Sequence, residues 1–288
     1  MADTVPIAVI IPTYKRGTAV FTVLERIAEC DPKPAEILVH VDSSDGILEA
    51  ELGFRFPNVK VLASPTRLGG TGGRHRCLLA CSAPYAVSFD DDSYPVDRDF
   101  FAIVERLFLA HPEAAVVGAQ IWHRHEAEKP RTVRLVRTHT YIGCGHAMRV
   151  AAYHSIRGYI PRPIGYEMEE SDVSLQLFAS GWQIYEAGEL RVLHDTVLKH
   201  HEAPEVTSGA ITNIGLRVFL HYPVTAWGWG LLQLGNKVVY SVRIGRFRGI
   251  CSGLLQIPVD CYRNRRHRRP LRWRDLRAYL RFRRTRQA

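Results

Sequence analysis

The chain has 288 residues, 46% of them hydrophobic and 23% charged, a balance that excludes a disordered chain and leaves room for one large core or two modest ones. Its formal charge of +9 is uneven: residues 262–288 hold 12 Arg against one Asp, or +11, so residues 1–261 sum to −2. Six cysteines without CxxC pairing exclude a zinc-finger scaffold and a dense disulfide framework; reduced thiols in a cytoplasmic setting are the simplest reading.

The N-terminal stretch lacks the basic, apolar and small-residue segments of a signal peptide and reads as a first strand. Apolar runs of strand length follow at "IAVIIPT" (7–13), "EILVHVD" (36–42), "VKVLAS" (59–64), "YAVSFDD" (85–91) and "AAVVGAQIW" (114–122). Between them, 19–30, 73–82 and 99–112 place apolar residues three and four apart, the helical period. Alternation of this kind predicts an α/β fold with a mostly parallel central sheet flanked by helices, whose ligands gather at strand carboxyl ends. Pro12-Thr13-Tyr14, Asp42-Ser43-Ser44 and Asp90-Asp91-Asp92 all fall at such ends.

A single Asp at a strand end is ordinarily a cap or a solvated turn. Three in succession repel one another unless a cation or proton intervenes, and hard oxygen donors suit Mg2+ or Mn2+ bound together with phosphates. The glycine-rich segment 69–73 opens a helical pattern; its amides could approach a phosphate there, with Arg67, Arg74 or Arg76 adding charge, although a flexible turn explains the glycines equally well.

From about residue 5 to about residue 200 the order of these motifs resembles family 2 glycosyltransferases of the GT-A (nucleotide-diphospho-sugar transferase) fold. The family's Asp-x-Asp element is matched by Asp90-Asp91-Asp92. The resemblance implies that Pro12, Thr13, Tyr14 and Arg16 at the "VIIPTYKR" strand end, with Asp42, Arg67, Asp90 and Asp91, hold the nucleotide of a nucleotide-diphospho-sugar donor. It further implies that Asp90, Asp92 and His194 hold a divalent metal, Mg2+ or Mn2+. "YEMEESDVSL" (166–175) resembles the family's acidic element, with a Glu pair where Glu-Asp is usual. Alignment on Asp172-Val173-Ser174-Leu175 puts Glu170 in the place of the catalytic base, with Glu169, Glu167 and Asp172 as alternatives; acids in a first helical turn also simply favour the macrodipole. His200 and His201 are weaker metal candidates than His194.

The segment 141–159, with Gly143-Cys144-Gly145, resembles the family's wall against the donor sugar, although a tight turn accounts for the glycines as well. Residues 123–139 show little periodicity and read as a loop over the acceptor. The Gln-x-x-Arg-Trp motif of the family's processive members is absent after "DVSL", which implies single-sugar transfer.

Residues 218–235 carry no formal charge but are interrupted by His221, Pro223, Gln233 and several Gly, so a buried or interfacial helix pair fits better than a membrane span. The Arg-rich segment after them, with Trp273, Tyr279 and Phe282 interleaved, suits a solvated helix or an anionic membrane surface, and nucleic acid ranks well behind both.

The expected organisation is a catalytic domain over 1–205 (nucleotide-binding half 1–122, acceptor half 123–205) and a helical, Arg-rich C-terminal extension over 206–288. The expected function is metal-dependent, inverting, non-processive transfer of a sugar to a hydroxyl of a glycan or lipid-linked acceptor, in polysaccharide or glycolipid synthesis on the inner face of a membrane. The competing reading, a basic membrane- or nucleic-acid-binding protein on an inactive scaffold of this fold, leaves the ordered acidic motifs unexplained. A nucleotidyltransferase is the nearer competitor.

Overall fold

The computed structural model describes residues 4–162, 169–196 and 203–285. Contacts divide the chain into two compact units, Met1–Pro163 with Gln176–Val197, and Ile164–Leu175 with Leu198–Ala288.

The first unit is built on a sheet whose strands are β1 (Thr4–Thr13), β2 (Lys33–Asp42), β3 (Val59–Ser64), β4 (Tyr85–Ser88), β5 (Ser93–Pro95), β6 (Ala114–His123), β7 (Leu135–Thr138), β8 (His146–Arg149) and β9 (Gln183–His194). Their order is β3-β2-β1-β4-β8-β6-β9-β5, with β7 on β9 as well. Strands β1, β2, β3 and β4 are mutually parallel; β8 runs against them, and β6 and β9 run with them again, so the sheet is mostly parallel. In β1 the run from Ile7 to Thr13 is wholly buried, which is why it reads as unbroken apolar sequence rather than as alternation.

Helices α1 (Ala19–Ala28), α2 (Gly46–Arg55), α3 (Gly69–Ala80), α4 (Phe100–Ala110) and α5 (Val150–His154) cover the sheet. The stripe of α1, Val20, Phe21, Val23, Leu24 and Ile27, is buried in the main core, as are Phe100, Phe101, Ile103, Val104, Leu107 and Phe108 of α4. Helix α2 has no counterpart among the expected elements. It is set by its cap, in which Asp45 accepts from the Leu48 N–H (3.2 Å) while Glu49 accepts from the Asp45 N–H (3.0 Å). Helix α3 begins at Gly69, four residues ahead of its expected start at residue 73, so the glycine-rich segment is helix and not loop. A Cβ on Gly73 would lie 2.8 Å from Pro12 Cβ and 2.8 Å from His40 Nδ1; glycine there lets α3 rest directly on β1 and β2.

Helix α6 (Glu169–Ala179) starts in the second unit, which continues through α7 (Pro204–His221), α8 (Trp227–Arg243), α9 (Ile250–Arg263) and α10 (Trp273–Thr285). Helices α8 and α9 both pack on α7, where small residues let backbones approach: a Cβ on Gly215 would meet Ile257 at 2.7 Å, and one on Gly253 would meet the Ser208 carbonyl at 2.8 Å. No helix among the described residues is long and apolar enough to cross a membrane.

Candidate functional site

Strand β4 ends at Ser88, earlier than the apolar run suggested, because Phe89 is held by its N–H on the Ile10 carbonyl (3.1 Å) and the chain then turns. Within the turn the Asp90 N–H donates to Ser93 Oγ (2.7 Å) and the Ser93 N–H to the Asp90 carbonyl (3.1 Å). Asp91 points inward, 7% exposed, and accepts from Thr13 Oγ1 at 2.7 Å. Burial pushes its pKa up to about 6, against the opposing pull of Arg16 and the Thr13 hydroxyl.

Asp90 and Asp92 are paired with cations. Asp90 forms an ion pair with Arg74, a buried guanidinium whose Nε donates to Ser88 Oγ (3.0 Å). Asp92 is paired with Arg16 and accepts from His194 Nε2 at 3.1 Å. Burial alone would raise Asp92, but the His194 hydrogen bond and the Arg16 charge hold it down at about 2. The same carboxylates raise His194 above its ordinary value although burial works the other way.

Sheet register explains why residues so distant in sequence meet here. Strand β5 lies antiparallel to the end of β9 with Ser93 opposite His194, and the Asp195 N–H donates to the Asp92 carbonyl (2.7 Å), so the histidine stands beside the acid turn. Strand β8 runs against β4 with His146 opposite Ser88, which brings the turn before β8 to the same edge. That turn is fixed from several sides. His146, pushed down to about 3 by complete burial, uses Nδ1 toward the Gly143 carbonyl (2.8 Å), and the Gly145 N–H donates to the Ser88 carbonyl (2.7 Å). Gly145 has φ +75°, and a Cβ there would lie 2.9 Å from Val192.

The turn presents Cys144, whose sulfur lies 3.7 Å from His194 Nδ1. Asp90, Cys144 and His194 each offer a donor atom, and these atoms all lie within 4.8 Å of one another. An ion about 2.0–2.3 Å from each ligand requires donor separations of roughly 3–4.6 Å, so small side-chain adjustments suffice. The expected metal residues Asp90, Asp92 and His194 are thus neighbours, with Cys144 inside the convergent set and Asp92 hydrogen-bonded to its histidine. Nothing in sequence spacing marked Cys144.

Asp42, the expected base contact, is 3% exposed and serves α3 directly. One oxygen accepts from the Leu68 N–H (2.7 Å) and Ser64 Oγ (3.0 Å), the other from the Gly69 N–H (2.9 Å). One of the amides expected to face a phosphate, that of Gly69, is therefore engaged by the protein itself, and Arg74 is turned to Asp90. Arg67 lies over the ring of Tyr14, 4.3 Å from its centroid, beside buried Pro12 and Thr13 at the end of β1.

In the second unit Glu169, Glu170 and Asp172 all fall in the first turn of α6. Asp172 accepts from His221 Nε2 on α7 at 2.6 Å, and His221 is 2% exposed. That partnership suits a positioning contact between two helices. Glu167, His200 and His201 lie outside the described residues. The expected acceptor loop 123–139 contains β7, and its Lys129 Nζ donates to the Ile121 carbonyl (2.5 Å).

The profile of "Glycosyl transferase family 2" matches residues 8–168. No curated protein sequence matches the chain. Among solved structures, GalNAc-T7 with UDP, GalNAc and Mn2+ aligns with a TM-score of 0.60 at 12% identity, over 76% of this chain and 48% of that one. The mannosyltransferase PcManGT from Pyrobaculum calidifontis, in complex with GDP-Man and Mn2+, gives 0.59 at 15% identity over 97% of this chain and 88% of that one. S. aureus TarS 1-349 in complex with UDP-GlcNAc gives 0.58 at 15% identity over 81% and 72%. At these identities the likeness is one of fold.

Proposed function

The chain belongs to glycosyl transferase family 2, and from that premise we propose that it transfers a sugar from a nucleotide-diphospho-sugar donor, with inversion, to a hydroxyl of a glycan or lipid-linked acceptor. The observation that carries this reading is the convergence of Asp90, Asp92 and His194 at one sheet edge, beside Thr13 at the end of β1.

Tyr14 and Arg67 offer a flat, cationic wall for the nucleotide, while Thr13 and Arg16 fix the acid turn beneath it. Asp90, Asp92 and His194, with Cys144 beside them, would hold the divalent cation, Mg2+ or Mn2+; the neighbours bound to UDP with Mn2+ and to GDP-Man with Mn2+ support that choice. When bound, the cation offsets charge on the departing diphosphate. Glu170 accepts the proton of the acceptor hydroxyl. The acceptor oxygen then bonds to the anomeric carbon while the opposite C–O bond breaks, its electron pair leaving with the nucleoside diphosphate. Glu170 is assigned because alignment on Asp172-Val173-Ser174-Leu175 puts it in the place of the family's catalytic base. The chain lacks the motif of processive members, so one sugar is added per encounter.

A thermal-shift panel of UDP, GDP, dTDP and CMP, each with and without Mn2+, tests the donor site. The expected result is stabilisation by one nucleoside diphosphate, dependent on metal and lost in Asp92→Ala. A folded wild-type protein that answers to none of them contradicts the proposal.

A further inference from the structure

Helices α8 and α9 each turn an apolar stripe outward. On α8 the outward stripe is Leu231, Leu232, Gly235, Val239 and Val242, with Leu231 67% and Leu232 61% exposed, while Gln233 and Ser241 point inward. Gln233 accepts from Arg217 Nη2 on α7 at 3.2 Å, so a polar side chain of α8 turns toward α7 while these leucines face out. Helix α9 likewise exposes an apolar stripe. Its outward stripe is Cys251, Leu254, Leu255, Val259 and Tyr262, with Leu255 74% and Tyr262 68% exposed, whereas Gly253 and Ile257 lie against α7. The connection between the helices adds Phe247, 62% exposed.

Soluble monomers rarely leave the apolar stripes of two consecutive helices in water, and such a surface marks an interaction site. Charge selects the occupant. Residues 227–274 contain ten Arg and one Lys against a single acid, Asp260, and arginines flank the apolar stripes: Arg243 at the end of α8 with Arg246 and Arg248 after it, and Arg263 at the end of α9 with Arg265 and Arg266 after it. Two copies meeting on this face would bring these cations together, which opposes self-association. An anionic lipid surface answers both features, since apolar side chains enter the acyl boundary while arginines meet phosphate headgroups. Trp227, Trp229, Tyr240 and Trp273, each partly exposed at 39–54%, are amphipathic side chains suited to that boundary.

We propose that the outward faces of α8 and α9, with the Arg243–Arg248 connection between them, form a docking surface that lies in the plane of an anionic membrane leaflet. This assigns the contact to two helices ahead of the most basic segment. Helix α10 itself buries Leu276 and Tyr279, and Arg284 stacks on Trp229 at 5.4 Å, so the C-terminal arginines flank the surface and do not constitute it.

The full-length protein is centrifuged with vesicles of phosphatidylcholine alone or with added phosphatidylglycerol, at low and high salt. The expected result is co-sedimentation with anionic vesicles that salt weakens and does not abolish, because apolar insertion survives screening. Leu231→Glu combined with Leu255→Glu, one exposed position on each helix, should lower the bound-to-free ratio by at least about tenfold while leaving the thermal melt in buffer unchanged. Wild type that stays in the supernatant overturns the proposal, as does a double variant that binds like wild type. A wild-type dimer in sedimentation velocity that the double variant dissolves, with no vesicle binding, assigns the face to a second copy and equally overturns it. None of these readouts depends on donor binding or turnover.

Discussion

Replacing Asp42 by Asn keeps the shape of the side chain but removes its charge and one acceptor oxygen. In the native protein that buried carboxylate takes the N–H groups of Leu68 and Gly69 at 2.7 and 2.9 Å and the Ser64 hydroxyl at 3.0 Å. An Asn oriented to keep the Leu68 and Ser64 bonds turns its amide group toward the Gly69 N–H and sets two donors face to face. An unmet buried donor costs roughly 1–3 kcal/mol, and loss of negative charge at the positive end of α3 adds about 0.3–1 kcal/mol. The expected destabilisation is about 1.3–4 kcal/mol, which at ~2–4 °C per kcal/mol for a domain of this size lowers Tm by roughly 3–16 °C. Thermal unfolding followed by circular dichroism, without nucleotide or metal, measures it. An Asp42 that served only a ligand would leave the unliganded protein unaffected, so a Tm within about 1 °C of wild type would refute the capping argument. Ser64→Ala, which removes one neutral donor, should cost only about 0.5–1.5 kcal/mol.

Glu170→Gln should reduce turnover by ~10²–10⁴-fold and leave donor affinity by calorimetry near wild type; normal turnover would place the base elsewhere. Cobalt added to the wild-type protein should give a near-ultraviolet thiolate-to-metal charge-transfer band that Cys144→Ser lacks. No band in the wild type would remove Cys144 from the ligand set. His221→Ala takes away a ring that is 2% exposed and a donor to Asp172. Its urea midpoint should fall by the equivalent of about 1–3 kcal/mol or more, and an unchanged midpoint would mean the pair contributes nothing to the second unit.

Much of the fold was legible because buried parallel strands leave an unmistakable local trace. The run 59–64 is a strand in full, and 7–13, 36–42 and 114–122 fall within β1, β2 and β6. Helix α2 was missed because only Leu48 and Leu52 are buried on it, too few for periodicity to register. Its signal lay in the Asp45 and Glu49 cap instead. The early start of α3 was illegible for the opposite reason: glycines that read as a flexible loop are there because Gly73 sits against Pro12 and His40. Helix propensity yields to a tertiary contact that only the absence of a Cβ permits.

The acid turn was legible as a local cluster, whereas its partners were assembled by register. His194 reaches Asp92 across 102 residues, and Cys144 reaches His194 across 50. Spacing rules find ligands that share one helix or loop, and these sit on three strand ends, so no such rule could recover Cys144. The same reasoning applies to α8 and α9. Hydrophobic periodicity reports that a helix has an apolar stripe, but not what covers it. The side that packs is betrayed by residues small enough for backbone approach, Gly253 on α9 and Gly230 on α8, where an added Cβ would run into α7. Once glycine and Gln233 are recognised as the packed side, the leucines opposite have only solvent or a partner left to meet.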